Sequence, residues 1–291
     1  MRHHYTSMLA VSASILAITL SACSPSVIDL DQQAKAAYDD KNFSKAAKLY
    51  QKAADQGDAE AQLALGQMYL DGDGVAQDNA KGVGFLQKAA DQGNAEAQTA
   101  LGREYLLGRE GIREDHAKAS ELFQKAADQG NAEAQRYLGK MYYFGYYGGL
   151  PMDSAKAAEF YQKAADQGDT EAQFALGKMY FIGDGVPQDY AKAAGYFQKA
   201  ANQGDYEAQY LLGKMYEEGG GIPKDIAKAK ELYQKSADLG DSDAQYALGK
   251  MYRDGDGVPQ DNAKAAAYFQ KAADQANADA QKALSDLKAG K

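Results

Sequence analysis

The stretch KAADQGDTEAQFALGKMY, from Lys163 to Tyr180, recurs in close copies that begin at Lys52, Lys88, Lys125, Lys163, Lys199, Lys235 and Lys271. Successive copies are 36, 37, 38, 36, 36 and 36 residues apart. Self-similarity at a fixed period of this length means a stack of supersecondary units, each too small to bury its apolar face without its neighbours. This constrains the fold more tightly than the length of 291 residues does, because an array grows along one axis and escapes the usual domain-size rule.

Each copy has the same internal grammar. An Asp or Asn (Asp58, Asn94, Asn131, Asp169, Asp205, Asp241, Asn277) opens a helical pattern. Its side-chain oxygen suits the free amides of a first turn. An acid two residues later, such as Glu60, sits where the helix dipole favours negative charge. This first helix, helix A, runs to a Gly-rich turn such as Asp71-Gly72-Asp73-Gly74. A second cap (Asp78, Asp115, Asp153, Asp189, Asp225, Asp261) then opens helix B. The expected fold is all-α, a solenoid of antiparallel helix pairs. Its expected organisation is a targeting segment over 1–22, a tether over 23–29, a terminal helical hairpin over 30–57, six repeats over 58–275 and a closing helix over 276–291.

The pattern A-x-A-Q-x-x-L-G-x-x-Y that begins at Ala59, with its G-x-G turn and its A-K-A and K-A-A segments, resembles the Sel1-like repeat, a relative of the tetratricopeptide repeat. Six units carry Leu-Gly followed by Tyr three residues on. The resemblance implies a right-handed superhelix of helical hairpins that serves as an adaptor or scaffold, in bacteria often in the envelope. Many members of that family place Trp in helix B, where this chain has Phe85, Phe123, Tyr161, Tyr196, Tyr233 and Tyr268 or a neighbouring aromatic.

The N-terminus has one cationic side chain at Arg2, an apolar run of 13 residues from Met8 to Leu20, and small residues before Cys23. That run is too short to span a bilayer, which takes about 20 residues. The string Leu20-Ser21-Ala22-Cys23 resembles the bacterial lipobox. It implies cleavage before Cys23, lipidation of its sulfur and, with Ser24 next, an outer-membrane lipoprotein facing the periplasm. Cys23 is the only cysteine, so no disulfide can staple the fold.

Without residues 1–22 the chain has 31 Lys and Arg against 41 Asp and Glu, a net charge of −10. That balance argues against nucleic acid and against electrostatic capture by anionic lipid, leaving the acyl group as the membrane contact. His116 is then the only histidine, so no Ser-His-Asp, Cys-His or His-rich metal set can be assembled. The Asp-Gly-Asp-Gly turns at 71–74 and 254–257 depart from calcium-loop spacing at Val75 and Val258. Catalytic, cofactor and metal residues are therefore all expected to be none.

Helical phase places Ala172, Leu176, Met179 and Tyr180 on a core stripe, with Gly177 allowing close helix approach. The opposite stripe holds the candidates for partner recognition: Arg103, Arg136, Lys140, Tyr143, Phe174, Lys178, Phe181, Tyr210, Lys214, Tyr246 and Lys250. In the superfamily that helix A resembles, this face lines the concave groove. Aromatic rings with a cationic ladder suit a protein or peptide segment that carries carboxylates. The competing reading takes the lysines as solvated helix residues copied with the repeat. At roughly 16–20 Å apart they lie beyond a Debye length of ~8 Å and would act one by one. Tyr146 and Tyr147 fall in a loop two residues longer than the common form. They are candidates for contact with a protein or a glycan, unless their rings fold back over the adjacent unit.

Overall fold

A computed structural model describes residues 26–109, 111–145 and 150–289, with fifteen α-helices among them and one isolated β-bridge between Arg109 and Ile112. Segment 1–22, Cys23, Tyr146 and Tyr147 lie outside the described residues. Helices α1 (Val27–Asp39) and α2 (Phe43–Asp55) form the first hairpin. Six pairs follow, here called units one to six. Their A helices are α3 (Ala59–Asp71), α5 (Ala95–Leu107), α7 (Ala132–Phe144), α9 (Thr170–Ile182), α11 (Tyr206–Glu218) and α13 (Ser242–Asp254). Their B helices are α4 (Asn79–Asp91), α6 (His116–Asp128), α8 (Ser154–Asp166), α10 (Tyr190–Asn202), α12 (Ile226–Asp238) and α14 (Asn262–Asp274), and α15 (Ala278–Lys288) closes the array. Each helix packs on the one before it and the one after it in the chain, the one-dimensional arrangement of a solenoid.

The ends of the helices follow from local chemistry. Asp169 Oδ1 accepts the Ala172 amide at 2.7 Å, and the other Asp and Asn caps of helix A do the same one unit apart. In helix B, Asp78 and Asp225 are held below the ordinary carboxylate pKa, chiefly by the backbone N–H groups of Lys81 and Lys228 that they accept. Helix α1 starts at Val27, inside the expected tether. Ser26 and Asp29 form a reciprocal capping box, each accepting the other's backbone N–H at 3.2 Å, and this starts the helix early. At the last turn between helices, Ala276 adopts the left-handed conformation (φ 64°) that glycine supplies elsewhere, as at Gly168 (φ 94°). For a residue with a Cβ this costs about 1 kcal/mol.

Close approach within a unit rests on one glycine of helix A. A Cβ on Gly177 would lie 2.7 Å from the Phe197 ring, and Gly102, Gly139, Gly213 and Gly249 stand in the same way against Phe123, Tyr161, Tyr233 and Phe269. In unit one the seat is taken by Leu86, over Gly66. Phe123, Tyr161 and Tyr233 thus fill the expected aromatic seat, whereas Phe85, Tyr196 and Tyr268 are one residue out of register. Those three rings stack instead on the tyrosines of helix A: Tyr69–Phe85 at 5.8 Å, Tyr180–Tyr196 at 5.8 Å and Tyr252–Tyr268 at 5.7 Å. Lysines cover the outer ring faces, with Lys192 5.0 Å over Tyr180 and Lys199 5.0 Å over Tyr196. Ala172, Leu176 and Met179 are buried as expected, and Tyr180 is half-buried in this stack rather than inside the core.

Units are joined by a ladder of amides. Gln62, Gln98, Gln135, Gln173, Gln209 and Gln245 are only 4–5% exposed. The Nε2 of each donates to an alanine carbonyl eight residues earlier, as Gln173 does to Ala165 at 3.1 Å. Five of the Oε1 atoms accept from a glutamine at the end of helix B: Gln92, Gln129, Gln167, Gln203 and Gln275, at 2.8–2.9 Å. At the sixth, the residue at the donor position is Leu239, and Gln209 Oε1 is buried without a partner.

Candidate partner-binding face

Three positions per A helix lie off the core stripe on one side, and their environment changes along the solenoid. In units one and two the face is filled inward, with Leu63, Leu70 and Thr99 no more than 5% exposed. Arg103 is half-buried there, and its Nη1 lies 3.2 Å from Glu133 of the next A helix. In unit three Arg136, with its side chain 14% exposed, pairs with Asp169 (Nε–Oδ2 3.0 Å) and with Glu171, which also takes Lys140 at 2.5 Å. Burial pulls the Arg136 pKa down, but the carboxylates of Glu171 and Asp169 outweigh it and raise the pKa overall. Arg103, Arg136 and Lys140 therefore clamp one unit to the next. Their acids are the caps and second-position acids of the following helix A, about one repeat away in sequence, which helical phase within one unit does not connect with them.

The remaining lysines are placed differently. Lys178 lies 5.3 Å over the Phe174 ring and Lys250 lies 5.2 Å over Tyr246, and among the described residues neither has a carboxylate within ion-pair distance. Lys214 is 3.8 Å from Glu218. Of the rings, Phe174, Tyr210 and Tyr246 are half-buried and tilt against Phe197, Tyr233 and Phe269 of helix B. Burial, followed by Asp243 and Asp241, pushes the Tyr210 phenol up to about 12. Tyr143 is raised by burial and by its hydrogen bond to Asp184, and Tyr246 by burial first.

Two hollows meet at Lys178. One, of 170 Å³, lies between α7 and α9 and is lined by Lys140, Tyr143, Phe144, Phe174 and Lys178. The other, of 320 Å³, lies between α9, α10 and α11 and is lined by Lys178, Phe181, Ile182, Tyr190 and Lys214. The structure thus gathers Lys140, Tyr143, Phe174, Lys178, Phe181 and Lys214 into one stretch of surface. Arg103, Arg136, Tyr210, Tyr246 and Lys250 stand outside both hollows. Three contributors have no place in the stripe: Phe144 (49% exposed) and Ile182 (58%) end their A helices, and Tyr190 (38%) opens a B helix. Tyr190 comes beside Phe181 because the two helices of unit four fold together, and it meets Phe181 edge-on at 5.3 Å.

One polar residue within helix A was not singled out from sequence. Glu104 stands where five other units carry Met (Met68, Met141, Met179, Met215, Met251), and it is 2% exposed. Its Oε2 is 2.7 Å from Arg109 Nε in the turn after α5. Burial raises its pKa, and Arg109 and Arg103 offset that only in part.

A family model, the Sel1 repeat, matches residues 37–58, 59–94, 95–131, 132–169, 170–205, 207–241 and 242–277. The first match covers most of the hairpin of 30–57 that the sequence pattern sets apart as a terminal unit, and ends one residue beyond it. Among solved structures, a protective antigen present in uropathogenic Escherichia coli strains, displaying an SLR fold, is 36% identical with a TM-score of 0.82. That alignment covers 89% of this chain and 56% of the E. coli protein, so the chain spans little more than half of that relative. A Sel1 repeat protein from Oxalobacter formigenes is also 36% identical, with a TM-score of 0.73, over 90% of this chain and 76% of the other. No curated protein gives a significant match.

Proposed function

The chain belongs to the Sel1 repeat family, and from that premise we propose that it is a non-catalytic adaptor that holds a protein segment along the helix-A face of units three to five. Repeat scaffolds of this family are protein-interaction modules. The observation that carries the reading is the pair of hollows on either side of Lys178, where Phe144, Phe181, Ile182 and Tyr190 are exposed together. A contiguous apolar surface with one unpaired cation suits a segment with aliphatic or aromatic anchors and a carboxylate between them. The N-terminal pattern adds a lipid anchor on Cys23 that holds the adaptor at the outer membrane, facing the periplasm.

Two experiments test this. Phe181→Ala combined with Lys178→Glu should weaken capture of the partner from envelope extract by roughly tenfold or more, while Lys250→Glu, outside the hollows, should change it little. An unchanged partner set in the double variant would overturn the groove. Cys23→Ala should move the protein into the soluble fraction, and retention in the membrane fraction would overturn the anchor.

A further inference from the structure

Because the unit is repeated, each position has its own controls, and the junction from unit five to unit six departs from all of them at one edge. Residue 239 is Leu, 59% exposed, where the five intact junctions carry the ladder glutamine. Residue 206 is Tyr, 44% exposed, where the other A helices begin with Ala59, Ala95, Ala132, Thr170, Ser242 and Ala278. Ser236, one turn before Leu239, donates to the Tyr206 carbonyl at 2.8 Å, which brings the two apolar residues to the same edge.

The polar groups of this edge that lack a side-chain donor or cation are Gln209 Oε1, Glu207 and Asp241. Gln209 is 5% exposed, and its Nε2 is held on the Ala201 carbonyl at 3.2 Å. That contact, common to the whole ladder, turns Oε1 toward residue 239, where no donor exists. At four other junctions the acid near the start of helix A is answered by a neighbouring unit: Asn94 donates to Glu60 at 2.7 Å, Asn277 donates to Asp243 at 2.9 Å, Arg103 holds Glu133, and Arg136 and Lys140 of the preceding unit hold Asp169 and Glu171, whereas Glu96 resembles Glu207 in having no such partner among the described residues. Glu207 and Asp241 have no cation within ion-pair distance among the described residues, and the nearby Lys235 is bound to Glu231 at 2.7 Å. Burial and then the neighbouring Asp243 also push the Asp241 pKa up, despite the amides it accepts as a cap.

We propose that this edge docks a cationic amphipathic segment of a protein partner. Its apolar side chains cover Leu239 and Tyr206, and its Lys or Arg groups answer Glu207 and Asp241. Charge complementarity selects the occupant, because the carboxylates of Glu207 and Asp241 call for donors and positive charge. The surface lies at the turns between B and A helices and involves no residue of the two hollows, so it does not depend on the groove.

The probe is a fluorescein-labelled 15-residue amphipathic peptide of Leu and Lys, with a Leu and Glu peptide as its counterpart, followed by anisotropy at two salt concentrations. Leu239→Gln restores the ladder donor and removes the apolar contact, so affinity for the Leu/Lys peptide should fall at least roughly tenfold while the unfolding midpoint rises. Glu207→Gln with Asp241→Asn keeps an N-cap, since Asn caps the helix at other junctions, and should weaken binding and flatten its salt dependence. Lys178→Glu should leave binding intact, and the Leu/Glu peptide should not bind. Equal affinity of Leu239→Gln and the parent chain would mean non-specific attraction to an acidic protein and would overturn the proposal. Self-association in sedimentation equilibrium that is lost on Leu239→Gln would also overturn it, in favour of a second copy of the chain.

Discussion

The junction closed by Gln173 and Gln203 and the one left open between Gln209 and Leu239 share helix lengths, spacing and the contact at the helix-A glycine. A Cβ would lie 2.7 Å from the partner ring at Gly177 and 2.9 Å at Gly213. They differ in polar closure and in the exposed Tyr206 and Leu239 of the open junction. In the first, a buried amide is satisfied on both sides, and in the second one acceptor is orphaned beneath an exposed leucine. Steric complementarity is thus kept from unit to unit while a hydrogen bond is given up. The two costs overlap, about 1–3 kcal/mol and occasionally more for an overpacked core against about 1–3 kcal/mol for an unpaired buried acceptor. A one-dimensional array also keeps such a loss local, because each unit contacts only its neighbours.

The largest loss is expected where a glycine meets a neighbouring backbone. Gly185, with φ at +70°, would place a Cβ 2.3 Å from the carbonyl carbon and oxygen of Ser154, so Gly185→Ala should cost roughly 3 kcal/mol or more. Urea unfolding measures the loss, and hydrogen exchange should place it in α8 to α10.

A smaller effect is expected at Glu104, where a buried carboxylate replaces Met. Glu104→Met should stabilise by about 1–2 kcal/mol at neutral pH, because the residue is freed from desolvation while Arg109 can turn to solvent. The sign of the pH dependence follows from the raised pKa: the folded chain keeps this proton above pH 4.5, where the unfolded chain has begun to lose it. In the interval just above that value, Glu104 therefore makes stability rise as pH falls. Glu104→Met should remove this part of the slope in urea titrations, and a persisting slope would assign it to other groups.

The smallest effects are expected at the glutamine ladder itself. Gln203→Leu copies the open junction into the closed one and should cost about 1 kcal/mol, whereas Leu239→Gln should return about the same amount. If both changes fell below a few tenths of a kcal/mol, water would have to satisfy the Gln209 acceptor.

Much of this molecule is legible from one repeat. Asp169 and its equivalents mark helix starts because capping is a contact over three residues, and Ala172, Leu176 and Met179 mark the core because one helical period places them together. Gly177 was readable as a point of close approach, but not as the partner of Phe197 rather than Tyr196, since one residue of register between helices decides it. The cationic ladder shows the same limit. Arg136 and Lys140 have the spacing of recognition residues, yet Glu171 of the next unit binds both, while Lys178, in the same helical position as Lys140, lies over Phe174.

What sequence alone determined is therefore what lies within one period: the helices, their caps, the stacked architecture and the inward stripe, all set by contacts three to four residues apart. Contacts about one unit apart, such as the Gln173–Gln203 rung and the Arg136–Glu171 clamp, and the orphaned Gln209 acceptor emerge from packing between units. The physical reason is that these contacts depend on how one helix pair sits on the next. That placement is set by the volume and register of packed side chains, and a periodic pattern states that units stack without stating which side chains meet.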